Sequence, residues 1–197
     1  MIGKEAYEKM KSLYGDVGSW TIWGEKTTDK AKSGIGDMAW LDRPDLLDTL
    51  DTGFVFVGLN WSRLPDSTKT GPWRNFHTGR SVGQYYKLRH ALKGTRYWGS
   101  YITDFLKYYP EKDSHEAMKW ARKSPGEIER NVKTFEDELS HLKGNPALVA
   151  LGDEAYQLLK ENLGDKYRIV RVMHYAKYIN PDVYRQKVLE VLDSTMN

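Results

Sequence analysis

The chain has 197 residues, of which 40% are hydrophobic and 29% charged, with a formal net charge of +3 and no cysteine. That length suits one domain with a sizeable core, and the missing cysteines exclude disulfides, thiolate metal sites and cysteine-ligated iron–sulfur clusters. No apolar run approaches the roughly 20 residues of a membrane-spanning helix, and MIGKEAYEKMKSLYG lacks a signal-peptide core, so a cytoplasmic location is expected.

The charge is unevenly spread. From Arg63 to Lys107 nine basic residues (Arg63, Lys69, Arg74, Arg80, Lys87, Arg89, Lys93, Arg96, Lys107) stand against Asp66 and Asp104, a local +7 that leaves −4 for the remainder. A localised basic excess is what binding to a polyanion requires, because phosphate neutralisation supplies most non-specific affinity for nucleic acid. The competing explanation is a solvated basic face without a partner. Aromatic residues make up 13% of the chain, and many fall in this same segment, where stacking on bases is one use for them.

In chain order, Lys4 to Leu13 has the spacing of a short amphipathic helix, and Tyr14 to Asp42 is irregular, broken by glycines and anchored by Trp20, Ile22, Trp23 and Trp40. A short helical segment runs to Leu50. Phe54 to Val57 is an apolar run of two aromatic and two β-branched residues, suited to a strand buried on both faces. It ends at Gly58-Leu59-Asn60, and Ser62 to Gly71 reads as loop. Gly79 to Lys93 is helical, with Gly94 placed to end it. Tyr101 to Lys107 is a second strand, and Asp113 to Lys123 a short charged helix.

Ser124-Pro125-Gly126-Glu127 has the spacing of a capping box opening a helix to about Lys143. Ala147 to Gly152 is a third strand, Asp153 to Leu163 a helix, and Tyr167 to Met173 a fourth strand ending at His174. A last helix spans Val183 to about Leu192. Strands alternating with helices predict an α/β fold: a three-layer αβα sandwich with a four-stranded parallel sheet and right-handed crossovers. Residues 1–197 are expected to form a single domain, with 1–50 as an irregular and helical N-terminal extension. Ligands of such sheets sit at the carboxyl ends of the strands, which places Gly58, Leu59, Asn60, Asp104, Gly152, Asp153 and His174 on one edge.

These residues resemble a known family. A buried strand ending in Gly58-Leu59-Asn60 is similar to the first motif of the uracil-DNA glycosylase superfamily, particularly its mismatch-specific and single-strand-selective branches, which carry Asn there. Tyr101 to Lys107 resembles that superfamily's second strand, with Asp104 where Asn is common. Pro146 to Ala155 looks like its third strand and following helix, and His174 stands where its second motif begins. The resemblance covers roughly Gly53 to Leu192. The chain departs from the pattern at Trp61, where Pro is usual, and at Tyr175-Ala176, which replaces Pro-Ser.

What the resemblance implies is a monofunctional DNA glycosylase that hydrolyses the N-glycosidic bond of a damaged or deaminated base. Asn60 would hold the attacking water, and His174 would donate to the base carbonyl oxygen as negative charge develops, a contribution of ~2–4 kcal/mol. Gly58, Leu59, Phe76 and Asp104 would bind the base. Phe76 would stack on it for ~1–3 kcal/mol, with Trp73 competing for that task or packing as loop core. An ionised Asp104 only accepts hydrogen bonds, so it favours a base edge that presents N–H groups, and a substrate other than uracil is expected. Arg63, Lys69, Arg74 and Arg80 would contact phosphates. Arg171, Lys177 and Arg185 flank the second motif, and Tyr178 would be a wedge into the duplex.

The partner expected is DNA, double- or single-stranded, bound by a monomer. His77, His90, His115 and His141 show no metal-ligand spacing, so neither metal nor cofactor is expected. Structural alternatives stand beside each role: Asn60 as a turn cap, His174 as a satisfied strand-end histidine. Two other functions remain open. One is a non-catalytic nucleic-acid, nucleobase or nucleotide-binding α/β protein, and the other a docking protein whose basic aromatic loop meets another protein. No GxxxxGK or GxGxxG phosphate cradle is present, which argues against NTPase and dinucleotide readings.

Overall fold

A computed structural model describes residues 2–61, 71–77, 84–107, 109 and 111–196. Its elements are α1 (Lys4–Tyr14), β1 (Ser19–Trp20), α2 (Leu46–Thr49), β2 (Asp51–Asn60), α3 (Tyr85–Leu92), β3 (Ser100–Leu106), α4 (Ser114–Lys123), α5 (Pro125–Ser140), β4 (Ala147–Leu151), α6 (Asp153–Leu163), β5 (Ile169–Val172) and α7 (Pro181–Met196), with a 3-10 turn at Ala39–Asp42. The fold is α/β, as expected. The sheet, however, has five strands in the order β1-β3-β2-β4-β5. The four predicted strands pair in parallel; the fifth, β1, runs antiparallel to β3, with Ser19 opposite Ile102 and Trp20 opposite Tyr101. Two residues flanked by Gly18 are too short to show the period-two pattern by which a strand is read.

The central strands are apolar on both faces, and the pleat sends alternate residues to two different cores. Val55, Val57, Leu59, Tyr101, Phe105, Leu148 and Ala150 join a core with α1, α4, α5 and α6. Phe56, Ile102, Val149, Leu151 and Val172 join the other, against α3 and α7. Each such side chain contributes roughly 1.5–3 kcal/mol on full burial. Residues 2–50 are built into the first core through Ile2, Tyr7, Met10, Trp20, Ile22 and Trp40.

Helix starts follow local chemistry. The Asp113 side chain caps α4 by accepting from the His115 and Glu116 backbone N–H groups (2.8 and 3.2 Å). The capping box expected at Ser124 does not form: its hydroxyl makes no cap bond, and Pro125 opens α5 while the Ser124 carbonyl accepts from Glu127 and Ile128. Gly94, at φ +74°, follows the end of α3 as expected.

One buried polar network interrupts the first core. Glu138 and Lys107 form an ion pair (2.5 Å) whose side chains are 0% and 3% exposed. The Tyr101 and Thr103 hydroxyls also donate to Glu138 (2.7 and 2.9 Å), and Lys107 donates to Thr103 (2.5 Å). Its own burial, and then the Glu138 carboxylate beside it, push the Tyr101 phenol well above its ordinary range.

Candidate functional site

In the order β3-β2-β4-β5 the connections leave β2 to opposite sides, so the switch point lies between β2 and β4, and ligands of such sheets sit at the carboxyl ends of the strands there. Gly58 lies in register with Asp104 across β2 and β3. A Cβ on Gly58 would stand 2.3 Å from Asp104 Oδ1 and 3.9 Å from the Phe76 ring, so the bare glycine is the floor between a carboxylate and an aromatic wall. Phe76 meets Tyr85 edge-on (ring centroids 5.8 Å apart), Tyr85 meets Tyr175 (5.0 Å), and His174 lies against Tyr175 (4.2 Å). Asp104 and Phe76 thus flank Gly58, and a relay of ring contacts through Tyr85 and Tyr175 leads from Phe76 to His174.

Asp104 is 6% exposed and is oriented by Asn75, whose amide nitrogen donates to Oδ2 (3.2 Å) and to the Val17 carbonyl (2.6 Å). The Asn75 oxygen accepts the Phe76 N–H (3.1 Å). Asn75 is therefore the joint between the pocket carboxylate, the aromatic wall and the N-terminal segment. Trp73 and Phe76 both hold φ at +65°, a conformation that costs a non-glycine residue on the order of 1–3 kcal/mol. Residues 15–23 offset it. The Gly15 carbonyl accepts from Trp73 N–H (2.7 Å), Ser19 Oγ donates to the Trp73 carbonyl (2.6 Å), and Trp23 Nε1 donates to the Phe76 carbonyl (3.0 Å).

His77 closes the same loop. Its Nε2 lies 2.6 Å from the Ile22 carbonyl and its Nδ1 2.8 Å from the Asn75 carbonyl, with the ring stacked between Trp23 and Trp40 (5.5 Å each). Two carbonyl acceptors favour the doubly protonated ring, but complete burial outweighs them and lowers its pKa from 6.5 to about 4.

His174 follows β5. Its Nδ1 accepts the Ala176 N–H (3.1 Å), which assigns the ring proton to Nε2. Burial first, then the Lys87 charge, lowers its pKa; Glu154 acts the other way. The outcome is a neutral imidazole with a single N–H to offer. Gly152, at φ +100°, lets β4 end close to this ring: a Cβ there would be 3.3 Å from the His174 Cβ. Burial also drives the Tyr175 phenol well above its usual range, reinforced by Tyr85 and the Asp104 carboxylate.

Other predicted residues are placed differently. Asn60 is half-buried, and its amide nitrogen donates to the carbonyls of Tyr109 (2.9 Å) and Glu111 (2.6 Å), bracing the connection from β3 to α4. Asn60 and His174 share the carboxyl edge but lie two strands apart, roughly 10 Å between strand axes. Leu59 sends its side chain into the core on the opposite face from Asp104 and presents only backbone at the edge. Trp73 is fully buried against Tyr7, Trp20 and Tyr101, as loop core. Phe76 is 2% exposed, so the side chains over its ring must move before a base could stack on it.

The basic segment is less of a surface than its charge suggests. Lys87, Arg89 and Lys107 are buried, the last two bonded to the Ser33 carbonyl and to Glu138, and Lys93 pairs with Glu25 (2.5 Å). Arg74 and Arg96 are exposed; Arg63, Lys69 and Arg80 lie outside the described residues. Near the second motif, Lys177 is exposed and Tyr178 stands fully in solvent. Arg171 pairs with Asp153, and Arg185 donates to the carbonyls of His90, Ala91 and Lys93 (2.5, 2.8 and 3.1 Å), closing the end of α3 rather than reaching outward. Among the described residues no group of His, Asp or Glu is arranged to hold a metal ion, and no helix is long and apolar enough to cross a membrane.

Sequence reasoning passed over Asn75 and Tyr85, and met Tyr175 only as a departure from a motif and Lys87 only as one of nine basic residues. Asn75 stands between Trp73 and Phe76, both read for their rings, but its partners Val17 and Asp104 are 58 and 29 residues away. Compared with protein-family models and with curated proteins, the chain matches none. The class defined by structure alone is therefore an α/β protein with a cluster of polar and aromatic side chains at the carboxyl edge of a mostly parallel sheet.

Proposed function

We propose that the protein is a DNA base-excision glycosylase of the uracil-DNA glycosylase type, acting in the cytoplasm as a monomer on a base other than uracil. The observation that carries this reading is a buried carboxylate and an aromatic wall beside the bare Gly58, joined by the ring relay of Tyr85 and Tyr175 to a neutral histidine N–H donor on the same sheet edge. A flipped base needs hydrogen bonding to its polar edge and apolar side chains beside its ring, and this cluster has groups of both kinds. Asp104 accepts from ring or amino N–H groups, and His174 Nε2–H donates to a carbonyl oxygen.

In the reaction, water adds to the sugar C1′ while the glycosidic bond breaks, its electron pair leaves with the base, and the proton the water loses ends on the departing base nitrogen. The transition state is oxocarbenium-like, so orienting the water matters more than a strong base. The Asn60 amide nitrogen is committed to the Tyr109 and Glu111 carbonyls, which leaves its Oδ1 as the atom to accept from that water. Lys177 and the fully exposed Tyr178, three and four residues beyond His174, supply a phosphate contact and a wedge.

A panel of oligonucleotides containing uracil, hypoxanthine, xanthine or cytosine tests the reading, with Asn60→Ala as the inactive control. Release of a base other than uracil is expected. Efficient uracil release abolished by Asp104→Asn overturns the specificity, and release by no substrate overturns catalysis. The closed state of Phe76 favours a second reading, a nucleic-acid or nucleotide-binding protein without turnover. DNA affinity that falls with salt, without base release, distinguishes it.

A further inference from the structure

Lys87 is only 2% exposed. It lies in the first turn of α3, and its ammonium donates to the Lys177 carbonyl at 2.5 Å, with the Tyr86 ring 5.9 Å away. No carboxylate among the described residues pairs with it. A buried ammonium without a counter-charge is costly, and an apolar side chain of the same length would remove the cost. What the carbonyl belongs to accounts for the lysine. Lys177 N–H donates back to the His174 carbonyl (3.0 Å), and between them Ala176 N–H donates to His174 Nδ1 (3.1 Å). The three bonds connect α3 to the imidazole through one short turn.

We infer that Lys87 is the positioning residue of this turn, holding His174 as a fixed Nε2–H donor at the carboxyl edge of the sheet. The inference rests on the donor role given to His174 above, but its first readout does not. The groups that bear on the imidazole charge come from three elements. Lys87 on α3 opposes protonation, and Glu154 on α6 favours it; Tyr175, tilted against the ring, carries a phenol that burial pushes well above its ordinary range, and Tyr85 on α3 lies beyond it. Lys87 thus acts in two ways: its bond fixes the turn, and its charge keeps the ring neutral.

The experiment is histidine-labelled NMR of the full chain, which reads both the titration and the tautomer of His174, on wild type, Lys87→Met, Lys87→Arg and Glu154→Gln. In Lys87→Met the titration moves to higher pH and the Nε2–H signature weakens; Lys87→Arg restores both. Glu154→Gln moves the titration to lower pH. If Lys87→Met does not give the wild-type circular-dichroism spectrum, Lys87→Gln, which keeps a donor without charge, is read in its place.

Where base release is measurable, Lys87→Met lowers kcat by up to about 100-fold, the scale of a one-ångström misplacement, and moves the acid limb of the pH profile to higher pH. His174 titrating in the uncharged variants as in wild type, with its tautomer intact, overturns the inference, as does an upward shift in Glu154→Gln. A wild type that releases no base, alongside a titration that still moves with Lys87, sinks the glycosylase reading and leaves this one standing.

Discussion

Stability should fall as pH drops through the range set by His77, and the size of the fall follows from its surroundings. The ring is buried between Trp23 and Trp40, and its pKa is lowered from 6.5 to about 4. Above pH 6.5 both the folded and unfolded chains hold a neutral imidazole, so the contribution is complete. Below it the unfolded chain takes up a proton that the folded chain refuses until about pH 4, and stability is lost across that interval. A difference of 2.5 pH units is worth about 3 kcal/mol.

The assay is urea denaturation at intervals from pH 7.5 to 4.5 for wild type and for His77→Gln. The difference between them isolates His77 from the carboxylates and from His174, which are common to both. Wild type should lose its advantage progressively as the pH falls. The reasoning is refuted if wild type instead gains on the variant below pH 6.5. The Ile22 and Asn75 carbonyls, 2.6 and 2.8 Å from the two ring nitrogens, would then hold an imidazolium more strongly than burial opposes it.

Two further outcomes can be checked in the same way. Glu138→Leu leaves the Lys107 ammonium buried without its partner and should cost ~3–5 kcal/mol in urea denaturation, while Lys107→Met/Glu138→Leu should recover much of that loss; a double variant as unstable as the sum of its parts contradicts this account. Gly58→Ala drives a methyl to within 2.3 Å of Asp104 Oδ1 and should destabilise by ~1–3 kcal/mol, with loss of any ligand binding at the carboxyl edge measured by calorimetry; a variant as stable as wild type would show that Asp104 can swing clear.

β2 and β4 were legible as short apolar runs bounded by Gly, Asn or Pro, β3 and β5 by their apolar and β-branched residues alone, and the helices after β3 by their 3.6-residue periodicity. The carboxyl-edge residues were legible for the same reason, since strand order alone puts Gly58, Asp104 and His174 at one edge. Charge counting misled, because Lys87, Arg89 and Lys107 contribute to a basic segment yet point inward. α3 buries Lys87, Leu88, Arg89, Ala91 and Leu92 around most of its circumference, so no single stripe revealed which cations were solvated. Asn75 and the role of residues 15–23 were hidden for a different reason. Their bonds close over tens of residues, and no local pattern encodes a side chain's distant partner.

The two-residue strand β1 has a consequence for the chain's behaviour among its own copies. All seven residues of β3 are buried, and Ser19 and Trp20, continued by the bonds of Thr21 to Ser100 and Gly99, lie along its outer side. Stripped of them, β3 would offer its free N–H and C=O groups as a template for a strand from another molecule. The N-terminal quarter therefore shapes the aromatic loop and also blunts the side of the sheet most prone to recruit a neighbour. A chain begun at Asp51 would keep every strand of the parallel sheet and lose what keeps those sheets apart.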